Sequence, residues 1–194
     1  MKLNLGCGRK NFPGYVNVDF IDYPEVDEVI DLERLPWDWW KNSSAEEILM
    51  FDFLEHLSYR KTDLVLMECW RILQSDGVLQ IQVPDFEECA RAALQIKPYD
   101  CHKCGYHFTE TSIETNCKEC HVSKFDIADA ALRRLYGGQI EKGDWHQMAF
   151  TKETLKEKLE RFGFKDFQFL EKIHQRKNWN FKISCKKDKE FLWF

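Results

Sequence analysis

The pattern of hydrophobic and polar positions predicts β-strands that alternate with helices over the first half of the chain. Short apolar runs bounded by glycine, proline or acidic residues predict strands at residues 3–5, 16–18, 26–30, 48–51 and 78–83. An apolar period of helical type from Tyr59 to about Leu73, with Ser58 as N-cap, predicts a helix between the last two strands. Such alternation indicates a parallel sheet with covered faces.

The second half of the chain departs from this alternation. Residues 85–150 predict an insertion: a helix to about residue 96, a cysteine-rich loop, a second helix near residues 125–136, and a glycine turn. Thr151 then caps a further helix, and residues 167–173 and 180–185 predict two closing antiparallel strands. A length of 194 residues fits one domain, which we assign to residues 1–194 with residues 97–122 as an inserted loop.

The first two strands place a glycine turn close to an acid. Gly6 and Gly8 allow a sharp turn with close approach of the backbone to a ligand, and Asp19 ends the second strand, where ribose-binding acids occur. A dinucleotide fingerprint has a third glycine where this chain has Asn11, and its acid lies about 20 residues on. Only seven residues separate Gly8 from Val16, too few for a crossover helix whose N-terminus holds a pyrophosphate. The pattern favours a nucleoside without phosphates.

Two cysteine pairs in the insertion have the spacing of metal ligands. The chain contains Cys101-x-x-Cys104 and Cys117-x-x-Cys120, separated by 12 residues. In a reducing compartment this pattern predicts a tetrahedral Zn²⁺ site with four thiolate ligands, and a site without an open position is structural. A redox dithiol pair, disulfides and an iron–sulfur cluster are the alternatives. Nearby histidines that also offer ligand atoms are His102, His107 and His121.

Composition narrows the classes of protein. The net charge is −5, from 28 basic and 33 acidic residues, which argues against bulk binding of nucleic acid without excluding it. No apolar run approaches the roughly 20 residues needed to span a bilayer. Met1-Lys2 leads directly into the first strand, so we expect no signal peptide and a soluble, cytoplasmic protein with reduced thiols.

Several segments, taken in order, carry a resemblance to a known family. The segments LNLGCG, GYVNVD, DLERLPW, FDFLEHL and WRILQSDGVLQIQVPD resemble the class I S-adenosylmethionine-dependent methyltransferases, of the small type-11-like group. A later match, GGQ followed by DWH and Phe150, is similar to the tail of that group. The resemblance implies an α/β fold: a Rossmann-like, mostly parallel, seven-stranded type of sheet with helices on both faces. The short spacing after Gly8 predicts a first crossover helix that is shortened or absent, and the cysteine pairs predict a zinc-knuckle insertion after the fifth strand.

The resemblance implies that S-adenosylmethionine is the cofactor and that strand ends hold it. Gly6, Cys7 and Gly8 are expected to pass under its amino-acid end. Asp19 is expected to bind the ribose hydroxyls.

The ends of the third and fourth strands complete this expectation. By the resemblance, Asp31 and Leu32 read the adenine, and Phe51 and Asp52 face the methionine portion. Each of these acids has an alternative role as a turn or strand-end residue.

An oxygen or nitrogen acceptor can also need a base. The resembling group carries an acid-x-His after its glycine turn, which makes His146 and Asp144 the catalytic candidates. The alternative for His146 is a structural or substrate-contacting role. His56 is expected to order the loop before its helix.

The resemblance implies methyl transfer to an oxygen or nitrogen of a small-molecule or sugar acceptor. One alternative is the same chemistry on RNA, DNA or protein, with the zinc module docking the macromolecule. Another is a non-catalytic regulator that binds S-adenosylmethionine. The sequence leaves the acceptor and the oligomeric state open.

Overall fold

The structure, a computed structural model, describes residues 1–109, 112, 115–140, 143–170 and 179–191. The strands are β1 (Lys2–Leu5), β2 (Val16–Asp19), β3 (Glu28–Val29), β4 (Ala45–Phe51), β5 (Leu73–Pro84), β6 (Tyr99–Asp100), β7 (His107–Phe108), β8 (Phe164–Leu170) and β9 (Asn180–Lys187). The helices are α1 (Tyr59–Ile72), α2 (Phe86–Leu94), α3 (Lys124–Tyr136) and α4 (Lys152–Arg161), with a 3-10 turn at Leu54–His56. Within these residues, no helix combines the length and the apolar character needed to cross a membrane.

Seven strands form one mostly parallel sheet in the order β3-β2-β1-β4-β5-β9-β8. The neighbours from β3 to β5 pair in parallel, whereas β9 runs antiparallel to both β5 and β8. The predicted fold class, with its closing antiparallel pair, is therefore confirmed. No helix lies between β1 and β2, as the short spacing required.

One face of the sheet carries the main apolar core. Strand register aligns Leu3, Ile48, Leu79 and Cys185 in one row across β1, β4, β5 and β9. The apolar residues of α1 and α4 belong to the same buried cluster. Ser58 caps α1 by accepting the backbone N–H of Lys61, as predicted.

A loop, rather than a helix, covers the other face of β1 and β2. The buried Asn4 donates through Nδ2 to the carbonyl of Lys10 (3.0 Å) and to Oδ1 of Asn17 (2.9 Å). Asn17 Oδ1 also accepts the backbone N–H of Phe12 (3.0 Å), whose ring packs against Phe51. These buried amides hold the connection between β1 and β2 in place of a crossover helix, since buried polar groups need partners.

The third strand is shorter than predicted, with two residues instead of five. The side chain of Asp27 accepts the backbone N–H of Asn17 (2.8 Å). In a longer β3, a backbone carbonyl would have accepted this N–H. Both Glu28 and Val29 are exposed at the edge of the sheet.

The cysteine-rich insertion has a second buried cluster. Tyr99 and Phe108 stack in the β6–β7 hairpin with ring centroids 4.8 Å apart. They share this cluster with residues of α2 and α3, with Trp179, and with Cys101 and Cys117. The described part of the cysteine-rich loop is therefore packed onto α2 and α3.

Replacing Asn17 with Ala is expected to lower the free energy of unfolding by about 2–4 kcal/mol, because several buried donors and acceptors lose their partner. Denaturant unfolding measures the change. The control is Asn11→Ala in the same loop, an exposed residue with one long hydrogen bond (3.4 Å) to the carbonyl of Glu25. Equal losses in both variants would contradict the anchoring role of Asn17.

Candidate active site

A cavity of about 540 Å³ lies beyond the carboxyl ends of β1, β2 and β4. The strand order reverses between β1 and β4, and open α/β sheets bind ligands in the crevice at such a switch point. The turn after β1 and the segments after β2, β3 and β4 form most of its wall, and residues near Asp144 close another side.

The first turn requires glycine at its first position. Gly6 has φ of +66°, and a Cβ there would lie 2.2 Å from the ring of Phe53. Gly6, Gly8 and Phe53 all line the cavity, so the backbone of the turn faces the ligand space directly.

Asp19 is held in place by this turn. Its Oδ2 accepts the backbone N–H of Gly8 (2.8 Å), and its Oδ1 accepts the backbone N–H of Ile21 (3.0 Å). The residue is only 6% exposed yet lines the cavity. Each carboxylate oxygen retains a lone pair, so the group can accept the two hydroxyl hydrogens of a ribose.

The region beyond β2 and β3 offers an apolar slot with a polar edge. Ile21, Ile30 and the buried Leu32 line it. Asp31, also on the cavity wall, is exposed and accepts the backbone N–H of Glu33 (3.0 Å). Such a slot fits a flat heterocycle, consistent with the role predicted for Asp31 and Leu32.

Two predicted cofactor residues lie outside the cavity lining. Cys7 is buried beneath the turn, where its backbone N–H donates to the carbonyl of Val18 (3.0 Å). The ring of Phe51 packs against the ring of Phe12, which belongs to the loop between β1 and β2. The Lys182 ammonium lies 4.1 Å from the centroid of the Phe51 ring. Phe53, two residues further on, lines the cavity instead.

Asp52 joins separate parts of the chain. Its Oδ1 accepts hydrogen bonds from Arg134 (2.9 Å) and Asn180 (2.7 Å), and its Oδ2 accepts them from Lys10 (2.7 Å) and Gln82 (3.2 Å). Burial acts to raise the pKa of Asp52, but the charges of Lys10 and Arg134 outweigh it and lower this pKa. The carboxylate therefore stays ionised on the cavity wall.

A second cavity of about 520 Å³ adjoins the first. The two share Asp52, His56 and Asp144, and the second is further lined by His146 and by residues of α3, including Arg134. Two ligands, one in each cavity, would therefore meet at these shared side chains.

The structure brings the predicted pair His146 and Asp144 to this junction. Asp144 Oδ2 accepts the backbone N–H of Ile140 (3.2 Å), and a Cβ on Gly138 would lie 2.3 Å from this carboxylate. Burial, followed by the charges of His56 and Arg134, lowers the pKa of His146 to about 4. His146 is therefore neutral near pH 7, and its role as a base stays a prediction.

Sequence reasoning missed Glu55. This residue is 1% exposed, and neither carboxylate oxygen has a hydrogen-bond partner among the residues that the structure describes. Its ligand atoms and those of His56 and His146 lie within 4.8 Å of one another. The only signal in the sequence is its place beside His56, in a turn otherwise formed by apolar residues.

The four paired cysteines converge. All their Sγ atoms lie within 4.8 Å of one another, with Cys101 to Cys120 at 3.7 Å and Cys104 to Cys117 at 3.3 Å. Tetrahedral Zn²⁺ with bonds of about 2.3 Å places sulfur atoms about 3.8 Å apart. None of the four forms a disulfide.

The cysteine pairs also have matching backbone geometry. Gly105 and His121, each just after the second cysteine of a pair, have positive φ of 77° and 59°. Their backbone N–H groups donate to the carbonyls of Cys101 and Cys117 (2.8 and 2.9 Å). Two equivalent turns therefore present the four thiols to one point.

No protein-family model and no curated protein matches the chain. Its structure is nevertheless similar to those of several methyltransferases. A S-adenosylmethionine-dependent methyltransferase from Archaeoglobus fulgidus is 16% identical with a TM-score of 0.57, over 96% of this chain and 85% of that one. The 1,6-didemethyltoxoflavin-N1-methyltransferase of Burkholderia thailandensis, with its substrate and S-adenosylhomocysteine bound, is 13% identical with a TM-score of 0.55, over 97% and 71%.

Human N-acetylserotonin methyltransferase in complex with S-adenosylmethionine is also similar. It is 13% identical with a TM-score of 0.53, over 97% of this chain and 47% of that one. These similarities, together with the strand order, show that the chain has the Rossmann-like fold of the S-adenosylmethionine-dependent methyltransferases.

Gly6→Ala is expected to lower the free energy of unfolding by about 3 kcal/mol, since it adds a clash with Phe53 to the cost of a left-handed residue. Gly14→Ala is the matched control: Gly14 has φ of +85° with open space around its Cβ position, so about 1 kcal/mol is expected. Adding Phe53→Ala should cost less in the Gly6→Ala background than in the wild type. Strictly additive losses in urea unfolding would exclude the clash.

Proposed function

We propose that the chain is a S-adenosylmethionine-dependent methyltransferase acting on an oxygen or nitrogen of a small-molecule or sugar acceptor. The observation that carries this proposal is the pair of adjoining cavities at the switch point of the sheet, which share Asp52, His56 and Asp144. One cavity suits a nucleoside, and the other suits a second small ligand beside it. The methyltransferase fold supports the same function.

The first cavity has groups for each part of the cofactor. The carboxylate of Asp19 would hold the ribose, and the slot at Asp31 and Leu32 would hold the adenine. The turn at Gly6 and Gly8 would face the amino-acid end. When bound, S-adenosylmethionine supplies a sulfonium whose methyl group is already activated for transfer.

The chain itself has to orient the acceptor and exclude water. Alignment of two reactants in neighbouring cavities can supply about 7–11 kcal/mol of barrier reduction. Asp144 and His146 lie at the junction, where they would contact the acceptor. Because the pKa of His146 is lowered to about 4, that side chain is neutral near pH 7 and is a weak base.

We infer that the four paired cysteines bind a structural Zn²⁺. The spacing of their sulfur atoms and the matching turns fit four thiolate ligands, which leave no open position on the ion. Cys101 and Cys117 share a buried cluster with Ile127 and Ala131 of α3, the helix that lines the second cavity. The ion would therefore stabilise one wall of the acceptor cavity.

The structure gives little further support to a nucleic-acid acceptor. In the lysine-rich segment after residue 185, Lys187 is 6% exposed and donates to the carbonyl of Leu73 (2.7 Å). Asp188 pairs with Lys165 (2.9 Å). The segment is therefore not a uniformly exposed basic patch.

Asp19→Ala is expected to weaken binding of S-adenosylhomocysteine about 10- to 100-fold, because two charge-assisted hydrogen bonds to the ribose are lost. Isothermal titration calorimetry measures the dissociation constant. Asp22→Ala is the control, since Asp22 is an exposed acid nearby that does not line the cavity. An unchanged affinity in Asp19→Ala, or no binding to the wild type, would refute the assignment of this cavity.

The purified chain is expected to contain about one Zn²⁺ in the cysteine site, as measured by mass spectrometry of the metal and thiol titration. Cys117→Ser should lose this ion and lower the thermal stability, because the thiolate set is incomplete. Cys89→Ala is the control, since Cys89 lies in the same buried cluster but outside the four. Retention of zinc in Cys117→Ser would contradict the ligand assignment.

A further inference from the structure

Glu55 is a carboxylate buried without a partner. The residue is 1% exposed, and neither of its carboxylate oxygens has a hydrogen-bond partner among the described residues. An unpaired carboxylate inside a protein costs free energy, so it takes up either a proton or a cation. Lys10 and Arg134 donate hydrogen bonds to Asp52 rather than to Glu55.

Two histidines approach this carboxylate with oriented rings. The rings of His56 and His146 meet edge to face, with centroids 4.6 Å apart. His56 Nδ1 lies 3.3 Å from the carbonyl oxygen of Trp145, which can only accept, so Nδ1 carries the hydrogen and Nε2 keeps its lone pair.

The contact of His56 Nδ1 with the Trp145 carbonyl is of the kind that orients metal-binding histidines. A carbonyl that accepts from one ring nitrogen directs the lone pair of the other nitrogen toward the ion.

We propose that Glu55, His56 and His146 bind a divalent first-row metal cation at the junction of the two cavities. All three ligand atoms lie within 4.8 Å of one another. Ligand bonds of about 2.1 Å place neighbouring donors about 3 Å apart, so the side chains have to close around the ion by roughly 1–2 Å. Two imidazoles and one carboxylate favour Mn²⁺, Fe²⁺, Co²⁺ or Zn²⁺, and they leave coordination positions open.

This site differs from the cysteine cluster in its donors and in its access. Nitrogen and oxygen donors bind Mn²⁺, which the soft thiolates of the cysteine site disfavour. His56 lines both cavities and His146 lines the second, so ligands in the cavities can reach the open positions. The closed cysteine site has no such positions.

The place of this site beside both cavities assigns a role to the ion. This role rests on the function proposed above. Held by Glu55, His56 and His146, the ion would bind a hydroxyl oxygen of the acceptor and lower the pKa of that hydroxyl. Its O–H bond would break and the proton would pass to bulk water. The oxygen would then form a bond to the methyl carbon while the methyl–sulfur bond breaks, which leaves S-adenosylhomocysteine. The substrate class is then an acceptor that presents a hydroxyl oxygen to the ion. His146 acts in this arrangement as a ligand instead of the base.

Titration of the zinc-loaded chain with Mn²⁺ tests the site, with electron paramagnetic resonance to count bound ions and pulsed measurements to detect coupled nitrogen. We expect one Mn²⁺ per chain with imidazole nitrogen coupling. Glu55→Gln, which keeps the size of the side chain, should weaken Mn²⁺ binding at least tenfold. His107→Ala is the matched control, since His107 is exposed and pairs with Asp100 (2.7 Å), and it should change nothing.

Co²⁺, which binds such donors more tightly than Mn²⁺, is titrated in parallel. The proposal is overturned if neither ion binds beyond the cysteine site, or if binding persists unchanged in Glu55→Gln. Circular dichroism and S-adenosylhomocysteine binding verify that Glu55→Gln is folded. Cofactor binding without metal binding would remove this inference alone, whereas metal binding without cofactor binding would remove the proposed function and leave the metal site.

Discussion

The carboxylate of Asp52 ties together parts of the chain that are far apart in sequence. Its four donors come from the loop after β1, from β5, from α3 and from the start of β9. The Asp52 side chain is 23% exposed, and hydrogen bonds to a charged group contribute about 1.5–3 kcal/mol each. The position of α3, and so the shape of the second cavity, depends on this charge.

The connection between β1 and β2 explains how a methyltransferase fold is completed here without its first crossover helix. Asn4 and Asn17 satisfy one another and the loop backbone, so the sheet face beneath stays polar where a helix would demand apolar contacts. The same connection supplies Lys10 to Asp52. Because no helix follows the glycine turn between β1 and β2, this turn lacks the helix dipole that favours phosphate groups.

The insertion and the junction of the cavities are linked through α3. One side of this helix packs on the cluster that contains Cys101 and Cys117, and its Arg134 contacts Asp52. This helix therefore joins the cysteine cluster to the wall of the second cavity. Glu55 lines neither cavity but lies beside His56 and His146, which do.

Much of the fold was predictable because it depends on local properties of the chain. Strand periodicity, the cap at Ser58, the short spacing after Gly8 and the cysteine pairs are each properties of a few neighbouring residues. The length of β3 was not predictable, since the side chain of Asp27 competes for the donor of Asn17.

The order of the elements, the glycine turn and the convergence of the cysteines follow from the chain alone, because periodicity, backbone conformation and ligand spacing are local. The folded structure was needed to show that Phe53 rather than Phe51 lines the cavity and that Cys7 lies beneath the turn. The folded structure also pairs the charge of Asp52 with Lys10 and Arg134, whereas the carboxylate of Glu55 has no hydrogen-bond partner among the described residues. Burial and charge depend on atoms brought together from distant positions, such as Asn180 beside Asp52.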